Sequence, residues 1–126
     1  MSFKEVVVTG IGAVTPIGNI QSRQDHELVT AALLDGVVGI AADPDFEAAG
    51  FKSVYSGRVH GLEDWMDKIT GGDVKALKAF KRYLGNGRTL QLALLPAIAA
   101  YQDAGLADVD TNILTFIGTG GPDTLS

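Results

Sequence analysis

Two glycine-rich turns and one run of cations hold most of the residues in this chain whose types and spacing could do chemistry. Residues 6–19 read VVVTGIGAVTPIGN, three valines running into Gly10, Gly12 and Gly18. That is the setting in which a phosphate can rest on backbone N–H groups at the start of a helix. The dinucleotide fingerprint G-x-G-x-x-G wants glycine or alanine in its third slot, where helix and strand pack closely. Thr15 occupies that slot with a β-branched side chain. A Walker-type loop needs a Gly-Lys-Ser or Gly-Lys-Thr triplet to reach the β/γ-phosphates, and none occurs. Pro16 removes one more backbone donor. The segment therefore reads as a structured turn, with a dinucleotide-binding domain as the alternative that would set a phosphate against residues 10–15.

The cations are Lys75, Lys78, Lys81 and Arg82. At three- to four-residue spacing they share one side of a helix while Leu77, Phe80 and Leu84 face inward. Such a stripe is either a solvated helix face or a surface that attracts and orients an acidic partner. The second glycine turn, with Gly120 and Gly121, follows the apolar run NILTFIG at residues 112–118.

Other candidates fall away on chemistry. There is no cysteine, hence no thiol nucleophile, disulfide or thiolate metal site. His26 and His60 each lack a second histidine or carboxylate at helical metal spacing and read as surface or loop residues. Asp43, Asp45 and Glu47 miss the glycine and the distant glutamate of a calcium loop. Ser56 and Ser126 have no recognisable base or oxyanion partner, and Trp65 and Tyr101 read as core or interface aromatics. No catalytic residue, metal site or cofactor is assigned.

The elements that must position these residues follow from patterning. The chain has 126 residues, 46% of them hydrophobic, enough for one domain with a real core. Ten basic residues against 15 acidic, net −5, argue against nucleic acid as the main partner. No apolar run reaches the roughly 20 residues of a membrane span, and the N-terminus lacks a signal-peptide pattern, so a cytoplasmic location is expected.

Residues 3–9 and 112–118 are apolar and β-branched, the pattern of strands buried on both faces. A helix is expected over residues 22–35 with Gly36 as its C-terminal cap, a short half-exposed strand over 52–59, and a helix from Asp73, its N-cap, to Gly85. Residues 89–104 form the longest helical stretch, apolar around its whole axis and therefore expected to be central, with Pro96 kinking it or marking a fresh start. The order β-α-(β)-α-α-β points to a parallel or mixed sheet covered by helices.

Four segments then carry a family resemblance: residues 6–19, LLDGVVGI at 33–40, LQLALLPAIAAYQDAGL at 90–106, and FIGTGG at 116–121. Their order and spacing resemble the N-terminal part of a β-ketoacyl-(acyl-carrier-protein) synthase, a condensing enzyme, over nearly the whole of residues 1–126. The resemblance implies an α/β, thiolase-like layered fold, with the strands near Val6 and Leu114 adjacent and parallel and the 90–104 helix between sheet layers. It implies decarboxylative Claisen condensation of acyl and malonyl thioesters in fatty-acid or polyketide synthesis, or else a non-catalytic, chain-length-factor-like partner subunit. Lys75, Lys78, Lys81 and Arg82 would dock an acidic acyl carrier protein, and Gly120 and Gly121 would border the acyl pocket. The parent would be a homodimer. The family's nucleophilic cysteine and two histidines would follow later than Ser126, so these residues alone should be inactive. A chain that ended there should associate with a second polypeptide.

Overall fold

The computed structural model describes residues 2–84, 87–109 and 112–118. Among them the chain is mixed α/β, with helices outweighing two small antiparallel sheets. Strands β1 (Ala13–Thr15) and β2 (Gly18–Ile20) form a hairpin around Pro16 and Ile17, in the register Thr15 to Gly18 and Ala13 to Ile20. The Asn19 side chain holds it, its Oδ1 accepting from the Thr15 N–H at 3.3 Å while its Nδ2 donates to the His60 carbonyl at 2.7 Å.

Helix α1 (Arg23–Leu34) begins where the Asp25 carboxylate accepts from the backbone N–H groups of Gln21 and Ser22, both at 2.9 Å. It ends at Gly36, whose φ of 70° lets the Gly36 and Val37 N–H groups turn back to the Leu33 and Ala32 carbonyls. Both ends fall where the sequence puts them.

Strands β3 (Ala41–Ala42) and β4 (Tyr55–Ser56) pair antiparallel around the short helix α2 (Pro44–Ala48). Helix α3 (Leu62–Ile69), an element beyond those expected from the sequence, carries Leu62, Trp65, Met66 and Ile69 at the spacing of one helical face. Helix α4 (Val74–Leu84) and helix α5 (Arg88–Asp103) follow, and a single 3₁₀ turn (Leu106–Asp108) comes after α5.

The core is small and lies between α3 and α5. Leu62, Trp65, Met66, Leu95 and Ala99 are buried, and Val14, Val59, Ile69, Leu77 and Phe80 pack against them. Trp65 is thus a core residue. Helix α5 continues through Pro96 as one element. It is less enclosed than its composition suggests: Leu95 and Ala99 are buried, but Leu90 on the opposite side is 52% exposed.

The largest departure concerns the two apolar strands. Residues 3–9 and 112–118 lie outside every strand of the structure, so the expected adjacent, parallel pair is not formed. Val6 is 91% exposed and Leu114 84%. The physical reason is that a strand apolar on both faces needs ladder partners at its edges and cover above and below. No described element supplies either to these segments.

Candidate functional site

The first glycine turn is a packing device. A Cβ on Gly10 would lie 2.2 Å from the Ala100 carbonyl oxygen, and one on Gly12 would lie 2.1 Å from that of Pro96. Loop and helix backbones meet where those side chains would stand, which is the steric use of glycine. A phosphate against residues 10–12 would have to displace α5 from this contact.

A carboxylate secures the same junction. Asp103, at the end of α5 and 7% exposed, accepts from the Ile11 N–H at 3.1 Å and from Arg23 Nε of α1 at 3.2 Å. The Ile11 N–H bond, then the Arg23 charge, hold its carboxyl below the usual carboxylate range. His26, read as a surface or loop residue, turns inward here; its Nε2 lies 4.0 Å from Asp103 Oδ2 and has no hydrogen-bond partner among the described residues. His60 is an exposed loop residue, as expected.

A second polar cluster binds α2 to the small sheet. Asp43 is 3% exposed and accepts from Ser56 Oγ at 2.5 Å, from Arg58 Nε at 2.8 Å, from Arg58 Nη2, and from the Asp45 N–H at 3.1 Å. Arg58 Nη2 also reaches Asp45. The Arg58 and Ser56 bonds push the Asp43 carboxyl far below its ordinary value and raise the Arg58 guanidinium correspondingly. The acidic run that superficially resembles a calcium loop is therefore committed to capping α2 and pairing with Arg58, and the Ser56 hydroxyl is committed to Asp43.

The remaining candidate is the cationic face of α4, where the helix start is well determined. Gly71 and Gly72, at φ of 61° and 75°, make the turn out of α3 that other residues adopt only with strain. Asp73 then caps α4, its Oδ1 accepting from the Lys75 N–H at 2.8 Å and the Ala76 N–H at 3.3 Å. Leu77 and Phe80 pack against the core. That seating turns Lys75, Lys78 and Arg82 outward, within roughly one 60° sector at 3.6 residues per turn.

Lys81 lies about 60° further round, toward α3. Its Nζ meets Glu63 Oε2 at 2.5 Å, and this bond raises the ammonium above its ordinary value. Among the described residues no ion pair is formed by Lys75, Lys78 or Arg82. The four predicted cations are thus on one helix, one engaged and three without an acidic partner among the described residues. Gly120 and Gly121 lie outside the described residues.

The chain is similar to several curated proteins. Over 111 residues, 86% of its length, the chain is 31% identical to a putative mitochondrial 3-oxoacyl-[acyl-carrier-protein] synthase of Schizosaccharomyces pombe. It is 30% identical over 112 residues (89%) to 3-oxoacyl-[acyl-carrier-protein] synthase 2 of Vibrio harveyi. It is 31% identical over 125 residues (95%) to the protein of the same name from Vibrio cholerae. The match takes in 24%, 23% and 26% of those proteins, so the chain spans about a quarter of the length of the curated relatives it matches. No protein-family model and no solved structure matches.

Proposed function

From this likeness to the 3-oxoacyl-[acyl-carrier-protein] synthases, which bears out the resemblance carried by the four sequence segments, we propose that the chain is part of a β-ketoacyl synthase acting in fatty-acid or polyketide synthesis. The observation that carries the reading is the span of the match, 86–95% of the chain at about 30% identity to three synthases. In the parent protein an acyl group passes from a thioester to a cysteine with release of the donor thiol. Malonyl thioester then loses carbon dioxide, and the carbanion left behind attacks the acyl-enzyme carbonyl, forming the carbon–carbon bond and expelling the cysteine thiolate. No described residue of this chain takes part in those bond changes.

Its contribution is scaffold and surface. In a thiolase-like layered fold, residues 3–9 and 112–118 become strands once neighbouring strands and helices of the parent protein cover them, which accounts for the exposure of Val6 and Leu114. Gly120 and Gly121 border the acyl pocket, where the absence of a side chain leaves room for the chain. Lys75, Lys78, Lys81 and Arg82 dock the acyl carrier protein, and the parent is a homodimer.

The full-length protein tests this. With acyl and malonyl thioesters it should yield a 3-oxoacyl product and carbon dioxide; loss of neither substrate would make it a non-catalytic partner subunit. Reversing Lys78 and Arg82 to glutamate should slow turnover of carrier-linked substrate roughly tenfold at low salt, because steering by surface charge acts on encounter. Turnover of a carrier-free thioester should be unchanged. Equal rates for the unaltered and the reversed protein on carrier substrate would reduce the stripe to a solvated helix face.

A further inference from the structure

The cations of α4 are in two different states. Lys75, Lys78 and Arg82 point away from the protein without acidic partners among the described residues, whereas Lys81 is turned aside onto Glu63 of α3. We propose that Glu63 is a built-in competitor for the carrier protein: it holds Lys81 out of the docking stripe until an acidic group of the partner displaces it. The proposal rests on the docking reading above and names how that site is regulated.

Three observations support it. First, the pair can be exchanged, because both side chains reach water, Lys81 44% and Glu63 70% exposed. Exposed ion pairs of this kind are weak and are screened by salt. An incoming carboxylate that approaches Lys81 therefore replaces one exposed partner with another.

Second, Glu63 has a place to go when released. It lies in the first turn of α3, where the positive end of the helix dipole favours a carboxylate without any lysine. Third, Lys81 sits beside the outward sector and not within it, so swinging its long side chain away from α3 widens the stripe from three cations to four. The effect of Glu63 is selectivity. A partner carrying acids only opposite Lys75, Lys78 and Arg82 meets an unreleased Glu63 nearby and is repelled by it, while one with an acid that reaches Lys81 removes that penalty.

The experiment measures affinity of the full-length protein for a purified acyl carrier protein at low salt. Glu63→Gln should tighten binding about threefold, since Lys81 then keeps only the weaker attraction of Asp67, to which it is not hydrogen-bonded, and a competing charge is gone. Asp64→Asn supplies the control, removing an equal charge one residue along α3 without freeing a lysine. It should tighten binding clearly less. In a Lys81→Met background Glu63→Gln should have no larger effect than Asp64→Asn.

Equal gains from Glu63→Gln and Asp64→Asn, or a Glu63→Gln gain that survives Lys81→Met, would overturn the masking role. That result would leave the docking reading standing if Lys78→Glu with Arg82→Glu still weakens binding. If the reversal leaves binding unchanged, docking and masking fall together. Melting curves of each variant exclude unfolding as the cause of any loss.

Discussion

The junction of residues 10–12 with α5 and the outer face of α4 hold their residues by opposite means. At the junction, glycines bring backbone against backbone and Asp103 closes the contact from a position 7% exposed. On α4, Leu77 and Phe80 anchor one side and the cations stand in water on the other. Interiors are close-packed and do not yield to an added methyl, whereas exposed charges are individually weak and act by attracting and orienting. Damage at the junction should therefore appear as lost stability, and damage on α4 as lost association with little change in stability.

The widest separation of the two comes from Gly12→Ala. The new Cβ would meet the Pro96 oxygen at 2.1 Å and the Ala99 Cβ at 2.8 Å, with backbone as the obstacle. Strain of that kind should cost about 3 kcal/mol or more. Gly36→Ala is the matched control: nothing lies within 4 Å of its Cβ, and only its φ of 70° opposes the change. About 1 kcal/mol is expected there. Thermal unfolding of the two full-length variants gives the comparison, and similar melting temperatures would contradict the close approach at α5.

These two glycines also mark how far the sequence could be read. Gly36, Ser22 and Asp73 announce helix ends, because capping is local chemistry written within a few residues. Thr15 and Pro16 mark the turn of residues 10–12 as structural, but its contact with Pro96 and Ala100 spans most of the chain and leaves no local mark. The same holds for Asp103 with Ile11 and for Asp43 with Arg58, residues ninety-two and fifteen positions apart. Helix α3 was legible in principle from Leu62, Trp65, Met66 and Ile69, yet Gly61 precedes it without an N-capping side chain. The apolar pattern of residues 3–9 and 112–118 calls for buried strands, and the structure departs from it, leaving both segments exposed and outside every strand, because no described element supplies the ladder partners and cover that such a pattern needs. Of the candidate site, the helix and its four cations were legible. The partner that engages Lys81 was not, because Glu63 belongs to α3, whose start carries no capping side chain to mark it.

Asp103→Asn should have the next largest effect, and its pH dependence has a definite sign. The folded protein holds this carboxyl below its unfolded value, so its contribution to stability is full above a pH of about 4 and is lost as the pH falls through the depressed folded value. Asparagine can still accept from the Ile11 N–H but carries no charge for Arg23. The variant should melt lower than the parent at pH 7, and the gap should close as the pH is taken below about 4. A gap that stays constant to pH 3 would mean that the ionised carboxylate contributes nothing beyond its shape.

The smallest effect belongs to Lys75, where folding and binding should respond in opposite directions. Lys75 stands in the first turn of α4, at the end of the helix where the dipole disfavours a cation. Its side chain makes no ion pair among the described residues, so Lys75→Gln removes an unfavourable charge and should raise stability slightly, by about 0.3 kcal/mol. The same change takes one of the outward cations from the stripe and should weaken carrier binding about twofold at low salt, with the difference vanishing at high salt as exposed charges are screened. A residue kept only for the helix would show no such conflict, since the better helix former would then carry no loss. If Lys75→Gln raises the melting temperature and leaves affinity untouched at low salt, the outward sector of α4 ends at Lys78 and Arg82, and the first turn of the helix takes no part in docking.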